Sequence, residues 1–221
     1  MSLFNDRVDA GRKLAKDLLK YANRSDVLIL ALPRGGVPVA FEVAKELNVK
    51  MDVFIVRKLG VPGNEELAMG AIASDNIRVL NEDVVMSFQI PERVIDMVAE
   101  NERKELERRE RAYRGDRPKP EIEGSTVILI DDGLATGATM RAAAAALKTK
   151  NPAKIVIAVP TAAPDICEIF RKEVDEIICL ATPEPFYGVG AWYEDFSQTT
   201  DKEVCELLDK ARKFPIKDNT I

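Results

Sequence analysis

Two adjacent acidic residues directly follow a short apolar run in the middle of the sequence. The run covers residues 127–130, the acids are Asp131 and Asp132, and small residues follow up to Met140. A buried strand here would deliver both carboxylates to its carboxyl end, which is where open α/β sheets bind ligands. Neighbouring carboxylates repel a phosphate but suit the hydroxyl groups of a polyol and a divalent cation. We therefore predict that the two aspartates hold a sugar and a metal ion.

The segment after the acid pair has the composition of an anion-binding loop. It reads Ala135, Thr136, Gly137, Ala138 and Thr139, and a helix is predicted to begin there. Small residues let backbone N–H groups close around an anion, and the positive end of a helix adds about 0.3–1 kcal/mol. The segment matches neither a Walker A loop nor a dinucleotide fingerprint. Its chemistry favours a phosphate monoester over an acidic turn that only caps its helix.

Two further polar segments follow predicted strands. Arg34, Gly35 and Gly36 follow the first strand, and consecutive glycines permit close approach of the backbone to a ligand. Arg57 and Lys58 follow the second strand, so a parallel sheet would bring them to the same edge. The alternatives are an ordinary glycine turn and a basic pair that snorkels at a strand end.

Aromatic residues gather after the last predicted strand. Phe186, Tyr187, Trp192 and Tyr193 surround glycines, and Trp192 is the single tryptophan of the chain. Rings beside flexible glycines suit stacking on a flat ligand. Core packing or a subunit contact would explain the same composition, and the sequence leaves these alternatives open.

Short unbroken apolar runs alternate with helical periodicity over most of the chain. Runs without polar alternation are typical of parallel strands that are buried on both faces. We predict such strands at 27–32, 52–56, 127–130, 155–159 and 176–180, and helices at 4–22, 37–47, 139–148 and 165–170. This order predicts an α/β fold with a doubly wound, mainly parallel sheet.

The remaining segments give weaker signals. Residues 58–69 have a loop composition, 70–73 and 77–80 are predicted as a hairpin, and Pro91 begins a long helix that ends near residue 114. Arginines and glutamates interleave in the second half of that helix, which favours a solvated face with ion pairs over an RNA-binding patch. A capping box at 200–203 begins the last helix.

The composition excludes several kinds of chemistry. The 221 residues include no histidine, which excludes Ser-His-Asp triads, Cys-His dyads and histidine-ligated metals. The three cysteines are widely spaced, so we expect neither a disulfide framework nor a thiolate metal site, and we expect a reducing, cytoplasmic location. The net charge of −5 argues against a nucleic-acid partner, and no apolar run is long enough for a membrane span.

The stretch from Val127 to Met140 resembles the signature with which type I phosphoribosyltransferases bind phosphoribosyl pyrophosphate (PRPP). It is closest in style to the adenine enzymes, which also read Asp-Asp and then Leu-Ala-Thr-Gly. Residues 4–15, 33–38, 57–60 and 189–196 are similar to bacterial and archaeal members of this family whose substrate is unassigned. The resemblance therefore runs nearly from end to end.

The resemblance implies that the acid pair and the loops around it share the binding of PRPP. Asp131 and Asp132 would hold ribose and Mg²⁺, and residues 135–139 would hold the 5-phosphate. Pyrophosphate would bind to the loop at 34–36, often through a strained or cis peptide, and to the basic pair at 57–58.

The resemblance also implies a mobile loop and a site for the acceptor. Residues 59–69 would close over the reacting centre, and Glu65 or Glu66 would serve as acid–base. The equally favoured alternative is that both are solvated loop carboxylates. The aromatic loop would bind the acceptor within a small hood, formed by residues 1–22 and 182–214 over a core at 23–181 of a single domain. A homodimer is implied as well.

Two departures from the family pattern limit the acceptor. Hypoxanthine–guanine enzymes carry an acid where Ala135 stands and a lysine in the region of residues 160–163, which has none here. We therefore predict Mg²⁺-dependent transfer of the phosphoribosyl group to a nitrogen acceptor, a nucleobase or related amine, with release of pyrophosphate. The two departures disfavour a 6-oxopurine as that acceptor. The alternatives are a PRPP-sensing regulator and, less favoured because no duplication is visible, a diphosphoryl transferase of the PRPP-synthase type.

Overall fold

Two sheets and seven helices make up the part of the chain that the computed structural model describes, which is residues 2–74, 77–115 and 117–214 without the side chain of Glu66. The strands are β1 Val27–Ala31, β2 Lys50–Val53, β3 Val56–Val61, β4 Asn64–Ala73, β5 Ile77–Leu80, β6 Thr126–Ile130, β7 Lys154–Thr161 and β8 Glu176–Ala181. The helices are α1 Arg7–Asp17, α2 Gly36–Leu47, α3 Glu82–Ser87, α4 Glu92–Arg114, α5 Ala138–Lys148, α6 Pro164–Glu173 and α7 Asp201–Ala211.

The larger sheet has five parallel strands in the order β2-β1-β6-β7-β8. Every residue of β1 and β6 is buried, as expected for strands covered on both faces. Alternate residues enter two hydrophobic cores: Ile29 and Ile128 pack with α1, α2 and α7, whereas Leu30 and Leu129 pack with α5 and α6. The predicted α/β fold with a parallel sheet is therefore confirmed.

The predicted loop at 58–69 is wrong, because this segment forms most of an antiparallel hairpin. β3 pairs with β4, β4 pairs with β5, and the turn lies at Pro62 and Gly63. Gly60 marks a register shift rather than a loop, since a Cβ there would lie 2.8 Å from the carbonyl oxygen of Glu65. Arg57 and Lys58 accordingly lie in this second sheet and not at the end of a parallel strand.

The helices mostly match the sequence prediction, with a shorter first helix. Asp6 caps α1 by accepting a hydrogen bond from the Asp9 amide, and a 3₁₀ turn at Leu19–Tyr21 follows the helix. The capping box of α7 is present between Thr200 and Glu203. Four arginines of α4 have carboxylate partners, namely Arg103, Arg108, Arg109 and Arg114, and the i,i+4 pair of Arg109 with Glu105 is 2.7 Å long.

The expectation of no disulfide is wrong in the structure, where Cys167 of α6 and Cys179 of β8 are bonded to each other. Helix α6 follows β7 and packs against β8, so the tertiary fold brings together two cysteines that are 12 residues apart. Cys205 is a free thiol. Among the described residues, no helix is long and apolar enough to cross a bilayer.

A partly buried ionic cluster joins the end of the first helical segment to the edge of the parallel sheet. The Glu176 carboxylate accepts hydrogen bonds from Lys20 at 2.5 Å, the Tyr21 hydroxyl at 2.7 Å and Lys154 at 2.8 Å. Burial opposes ionisation, but these three donors outweigh it and lower the pKa of Glu176 to about 2.

The substitution Glu176→Gln is expected to lower the free energy of unfolding by about 1–3 kcal/mol at neutral pH, because the donors lose a charged acceptor. A carboxyl whose pKa is depressed by folding stabilises the protein above its unfolded pKa of about 4.5 and loses this contribution as the pH falls towards 2. Urea unfolding should therefore show a smaller difference between the variant and the parent at pH 3 than at pH 7.

The matched control is Glu168→Gln, since Glu168 pairs with Arg171 on the surface, where both side chains are more than 60% exposed. It should change the free energy of unfolding by less than about 1 kcal/mol. An equal loss for Glu176→Gln at both pH values would contradict the ionic origin of the effect.

Candidate active site

The two aspartates directly follow β6 at the carboxyl edge of the parallel sheet. The Asp132 amide donates a hydrogen bond to Oδ1 of Asp131 over 2.8 Å, so the carboxylate folds back on its own turn. Burial and then the charge of Asp132 raise the pKa of Asp131 well above its ordinary value. Burial also raises the pKa of Asp132, against the opposing charge of Arg7. Two acids are thus held close together where ionising both is costly.

The glycine loop after β1 packs directly on this acid pair. A Cβ at Gly35 would lie 2.0 Å from Oδ2 of Asp132, and one at Gly36 would lie 2.6 Å from the carbonyl oxygen of Ile130. The preceding peptide bond, between Pro33 and Arg34, is cis, as the resemblance implied. Because β1 and β6 are neighbours, any side chain at these two positions would displace the aspartates.

The small-residue loop is fixed at both of its ends. Leu134 forms a parallel bridge with Ala162 beyond β7: the Leu134 amide donates to the carbonyl oxygen of Thr161 over 2.9 Å, and the Ala163 amide donates to that of Leu134 over 3.0 Å. Gly137 precedes α5 with a φ of +69°, and a Cβ there would lie 2.7 Å from the ring of Phe170. Between these anchors, Thr136 and Thr139 are exposed at the start of α5, where the first amides have no partner within the helix. This arrangement can bind an anion beside the acid pair.

Arg7 is a site residue that the sequence reasoning missed. Its Nε donates to Oδ2 of Asp132 over 2.8 Å, and its side chain is 12% exposed. A second hydrogen bond joins Arg7 to the carbonyl oxygen of Ser197 over 2.7 Å, and the guanidinium lies 4.0 Å from the ring centre of Phe196. Only the similarity of residues 4–15 to known family members pointed to this segment.

The terminal segments meet above the acid pair. The Glu194 amide donates to the carbonyl oxygen of Phe4 over 2.9 Å, which forms a bridge between the two segments. Tyr193 lies between the rings of Phe4 and Phe196, at 5.2 and 5.0 Å, and its hydroxyl donates to the backbone oxygen of Asp132 over 2.6 Å. Buried in this way, Tyr193 has no face for a ligand, contrary to the stacking role that we predicted for it.

The other aromatic residues of this loop are more accessible. The rings of Phe186 and Trp192 are 6.3 Å apart at an angle of 32°, and Tyr187 is 78% exposed. Gly133, next to the acid pair, contacts this loop, since a Cβ there would lie 2.6 Å from Val189. The loop is therefore adjacent to the carboxylates.

Several of the predicted site residues line one cleft of about 620 Å³ between the hairpin, the glycine loop and the start of α5. Pro33, Arg57, Lys58, Glu65 and Thr139 are among its walls. Arg57 also donates to Glu102 of α4 over 2.6 Å. The cleft joins segments that are far apart in the sequence.

Arg34 does not line this cleft, and the side chain of Glu66 is not among the described residues. Arg34 is directed towards the start of α7, with 3.7 Å between its guanidinium and the carboxylate of Asp201. Glu65 is exposed, and the side chain of Glu66 lies outside the described residues. The described part of the chain contains no cluster of three or more Cys, Asp or Glu side chains suited to hold a metal. Any cation at the acid pair would therefore need oxygen ligands from elsewhere.

An α/β sheet whose carboxyl edge carries an acid pair and a small-residue loop before a helix belongs to a class of folds suited to a polyol phosphate ligand. Comparison with known proteins agrees with this class. The family model for the phosphoribosyl transferase domain matches residues 4–165. Two curated proteins from strains of Mycobacterium tuberculosis, both named "Putative phosphoribosyl transferase", are 46% identical over 213 residues. The match covers 96% of this chain and 48% of each relative, so the chain spans about half their length.

A solved structure extends the likeness to the tertiary level. The crystal structure of TT1426 from Thermus thermophilus superimposes with a TM-score of 0.86 at 38% identity, and covers 95% of this chain and 99% of that one. The chain belongs to the phosphoribosyl transferase domain family.

Removing the Arg7 guanidinium should destabilise the site strongly, because it leaves the Asp132 carboxylate, which is only 15% exposed, without its counter-charge. Arg7→Met is expected to lower the free energy of unfolding by about 3–5 kcal/mol. The double variant Arg7→Met/Asp132→Asn should recover much of this loss in a denaturant-based mutant cycle. Arg24→Met, whose pair with Asp26 is exposed, should cost less than about 1 kcal/mol. A double variant that is no more stable than Arg7→Met alone would refute the role of this ion pair.

Proposed function

We propose that this chain transfers the 5-phosphoribosyl group of PRPP to a nitrogen nucleophile and releases pyrophosphate. The observation that carries the proposal is the packing of Asp131 and Asp132 between the glycine loop and the loop that begins α5. PRPP has a ribose with free hydroxyls in its middle, a phosphate at one end and a diphosphate at the other. An acid pair flanked by two anion-binding loops is complementary to that order of groups.

The loop at 135–139 is proposed to hold the 5-phosphate. Gly137, with a φ of +69°, turns the chain into α5, and the first amides of a helix are available to an anion. The exposed hydroxyls of Thr136 and Thr139 add donors to the same anion. Charge-assisted hydrogen bonds of this kind are about twice as strong as neutral ones.

The acid pair suits Mg²⁺ together with a substrate, but not Mg²⁺ alone. Magnesium in proteins is commonly held by one or two carboxylates, with waters and substrate phosphates completing the octahedron. The described hydrogen bonds occupy Oδ1 of Asp131 and Oδ2 of Asp132. The second oxygen of each carboxylate is a ligand of the kind that Mg²⁺ prefers. When bound, the metal would neutralise charge on the pyrophosphate oxygens. Asp131 and Asp132 would also accept hydrogen bonds from the ribose hydroxyls.

The cleft beside the hairpin is proposed to receive the pyrophosphate, with Lys58 and Arg57 as its cations. Gly35 and Gly36 would present backbone donors from the other side, and Arg34 would extend this positive field from the same loop. Positive charge builds on the anomeric carbon as the leaving group departs, and negative charge builds on pyrophosphate. Each preorganised donor to such charge contributes about 3–4 kcal/mol, and alignment of the two reactants contributes about 7–11 kcal/mol.

The acceptor is proposed to bind against Phe186, Tyr187 and Trp192, because these rings lie next to the acid pair and are not fully buried. This loop and the N-terminal segment together would form the acceptor-binding hood. Glu65, exposed on the hairpin that lines the cleft, is the proposed acid–base, with Glu66 as the sequence alternative. The homodimer and the cytoplasmic location that the resemblance implies stay predictions.

The double substitution Asp131→Asn/Asp132→Asn should reduce kcat/KM for pyrophosphate release by at least about 100- to 1,000-fold, since both ribose contacts and metal ligands are lost. The fold should persist, because the change removes buried charge and keeps the shape of each side chain. Initial rates with PRPP and MgCl₂ measure the loss, and thermal unfolding checks the fold. Asp17→Asn, at the exposed end of α1, serves as the control. Unchanged turnover in the double variant would overturn the assignment.

A screen of nucleobases and small amines, scored by pyrophosphate release from PRPP, would identify the acceptor. Calorimetry with PRPP and Mg²⁺ on the same preparation separates the competing functions. Binding of PRPP without any productive acceptor would favour the sensing regulator over the transferase. Failure to bind PRPP at all would overturn both.

A further inference from the structure

The long helix α4 forms one wall of the cleft that we propose for pyrophosphate. Its contributions are Met97, Val98, Asn101, Glu102 and Arg109. Arg109 lies in the same cleft as Lys58 of the hairpin and Thr139 at the start of α5. Its side chain is 22% exposed, so it is half-buried beside the cleft rather than extended into solvent. The sequence pattern did not distinguish Arg109 from the other arginines that interleave with glutamates in this helix.

The ion pair of Arg109 is built so that the arginine can change partners at little cost. Its Nε donates to Oε1 of Glu105 over 2.7 Å. The same carboxylate also receives two hydrogen bonds from Arg108, at 2.7 and 3.0 Å. When Arg109 turns to another anion, Glu105 therefore keeps a bidentate counter-charge. An arginine with a single carboxylate partner would instead leave that carboxylate unpaired.

The charges that line the cleft suit a strongly anionic ligand. Arg57, Lys58 and Arg109 supply three cations against the carboxylates of Glu65 and Glu102, and the positive end of α5 adds to their field. A guanidinium presents several N–H donors in one plane, which matches the oxygens of a phosphate group. The hairpin and α4 thus carry cations on two walls of one cleft.

We propose that Arg109 of α4 is a binding residue for the diphosphate group of the substrate. This inference rests on the proposed function, to which it adds a ligand-binding side chain from a helix outside the resembling motifs. Arg109 would exchange its hydrogen bond with Glu105 for one with a diphosphate oxygen as the substrate binds. The helix would then take part in recognising the leaving group as well as covering the hairpin.

Calorimetry in the presence of MgCl₂ tests the proposal on the full chain with three ligands: PRPP, inorganic pyrophosphate and ribose 5-phosphate. Arg109→Gln should weaken the binding of PRPP and pyrophosphate by about tenfold or more, the usual effect of losing a hydrogen bond to a charged group. Binding of ribose 5-phosphate, which lacks the diphosphate, should stay unchanged. Arg109→Lys should restore part of the affinity by returning the charge.

The matched control is Arg108→Gln. This neighbour shares Glu105, but its side chain is 51% exposed and is directed towards Asp201. It should leave the binding of all three ligands within about twofold, which excludes an effect through Glu105 alone. Equal binding of pyrophosphate by Arg109→Gln and the parent would overturn the inference, as would an equal loss for all three ligands. A parent protein that binds none of the three would instead overturn the proposed function.

Discussion

The partial burial of two adjacent carboxylates at the edge of the parallel sheet is the constraint around which the surrounding structure is arranged. Desolvation raises the pKa values of Asp131 and Asp132, so keeping them ionised needs nearby compensation. Arg7 supplies a formal charge at 2.8 Å, and the Asp132 amide supplies a dipole. The glycine loop after β1 allows the pair to sit this close to the neighbouring strand, because any Cβ there would occupy the space of the carboxylates.

The same constraint explains how the two ends of the described chain come to lie together. Arg7 links Asp132 to the segment around Ser197, and Tyr193 links the backbone of Asp132 to the ring of Phe4. The terminal segments therefore pack on the site itself. A loss of packing in them would disturb the position of the acid pair, so local stability and ligand binding are coupled here.

The cationic side of the site is held by ion pairs that are more exposed than that of Arg7 and Asp132. Arg57 is paired with Glu102 and Arg109 with Glu105, so these two cations of the cleft have carboxylate partners in the absence of ligand. Pairs of this kind at partly exposed positions contribute little to stability. They can be exchanged for a ligand at low cost, whereas the less exposed pair of Arg7 and Asp132 cannot. The acid pair is thus a fixed element and the basic cleft an adaptable one.

The amino-acid sequence by itself determined the elements that depend on local patterns. Unbroken apolar runs such as 127–130 indicated the buried parallel strands, and the acids and small residues after that run located the centre of the site. The capping box could be predicted because its two members, Thr200 and Glu203, are only three residues apart. The Val127–Met140 motif pointed to the family that the comparisons then showed.

Only the tertiary structure decided which distant residues complete the site. Arg7 meets Asp132 across 125 positions, and Cys167 meets Cys179 because α6 returns to the sheet beside β8. Gly60 and Gly63 suggested a loop, although pairing along β3 and β4 makes the segment a hairpin. Tyr193 was one of several aromatic residues until packing placed it in the core. Composition and periodicity carry information about neighbours along the chain, whereas these contacts depend on how whole elements pack.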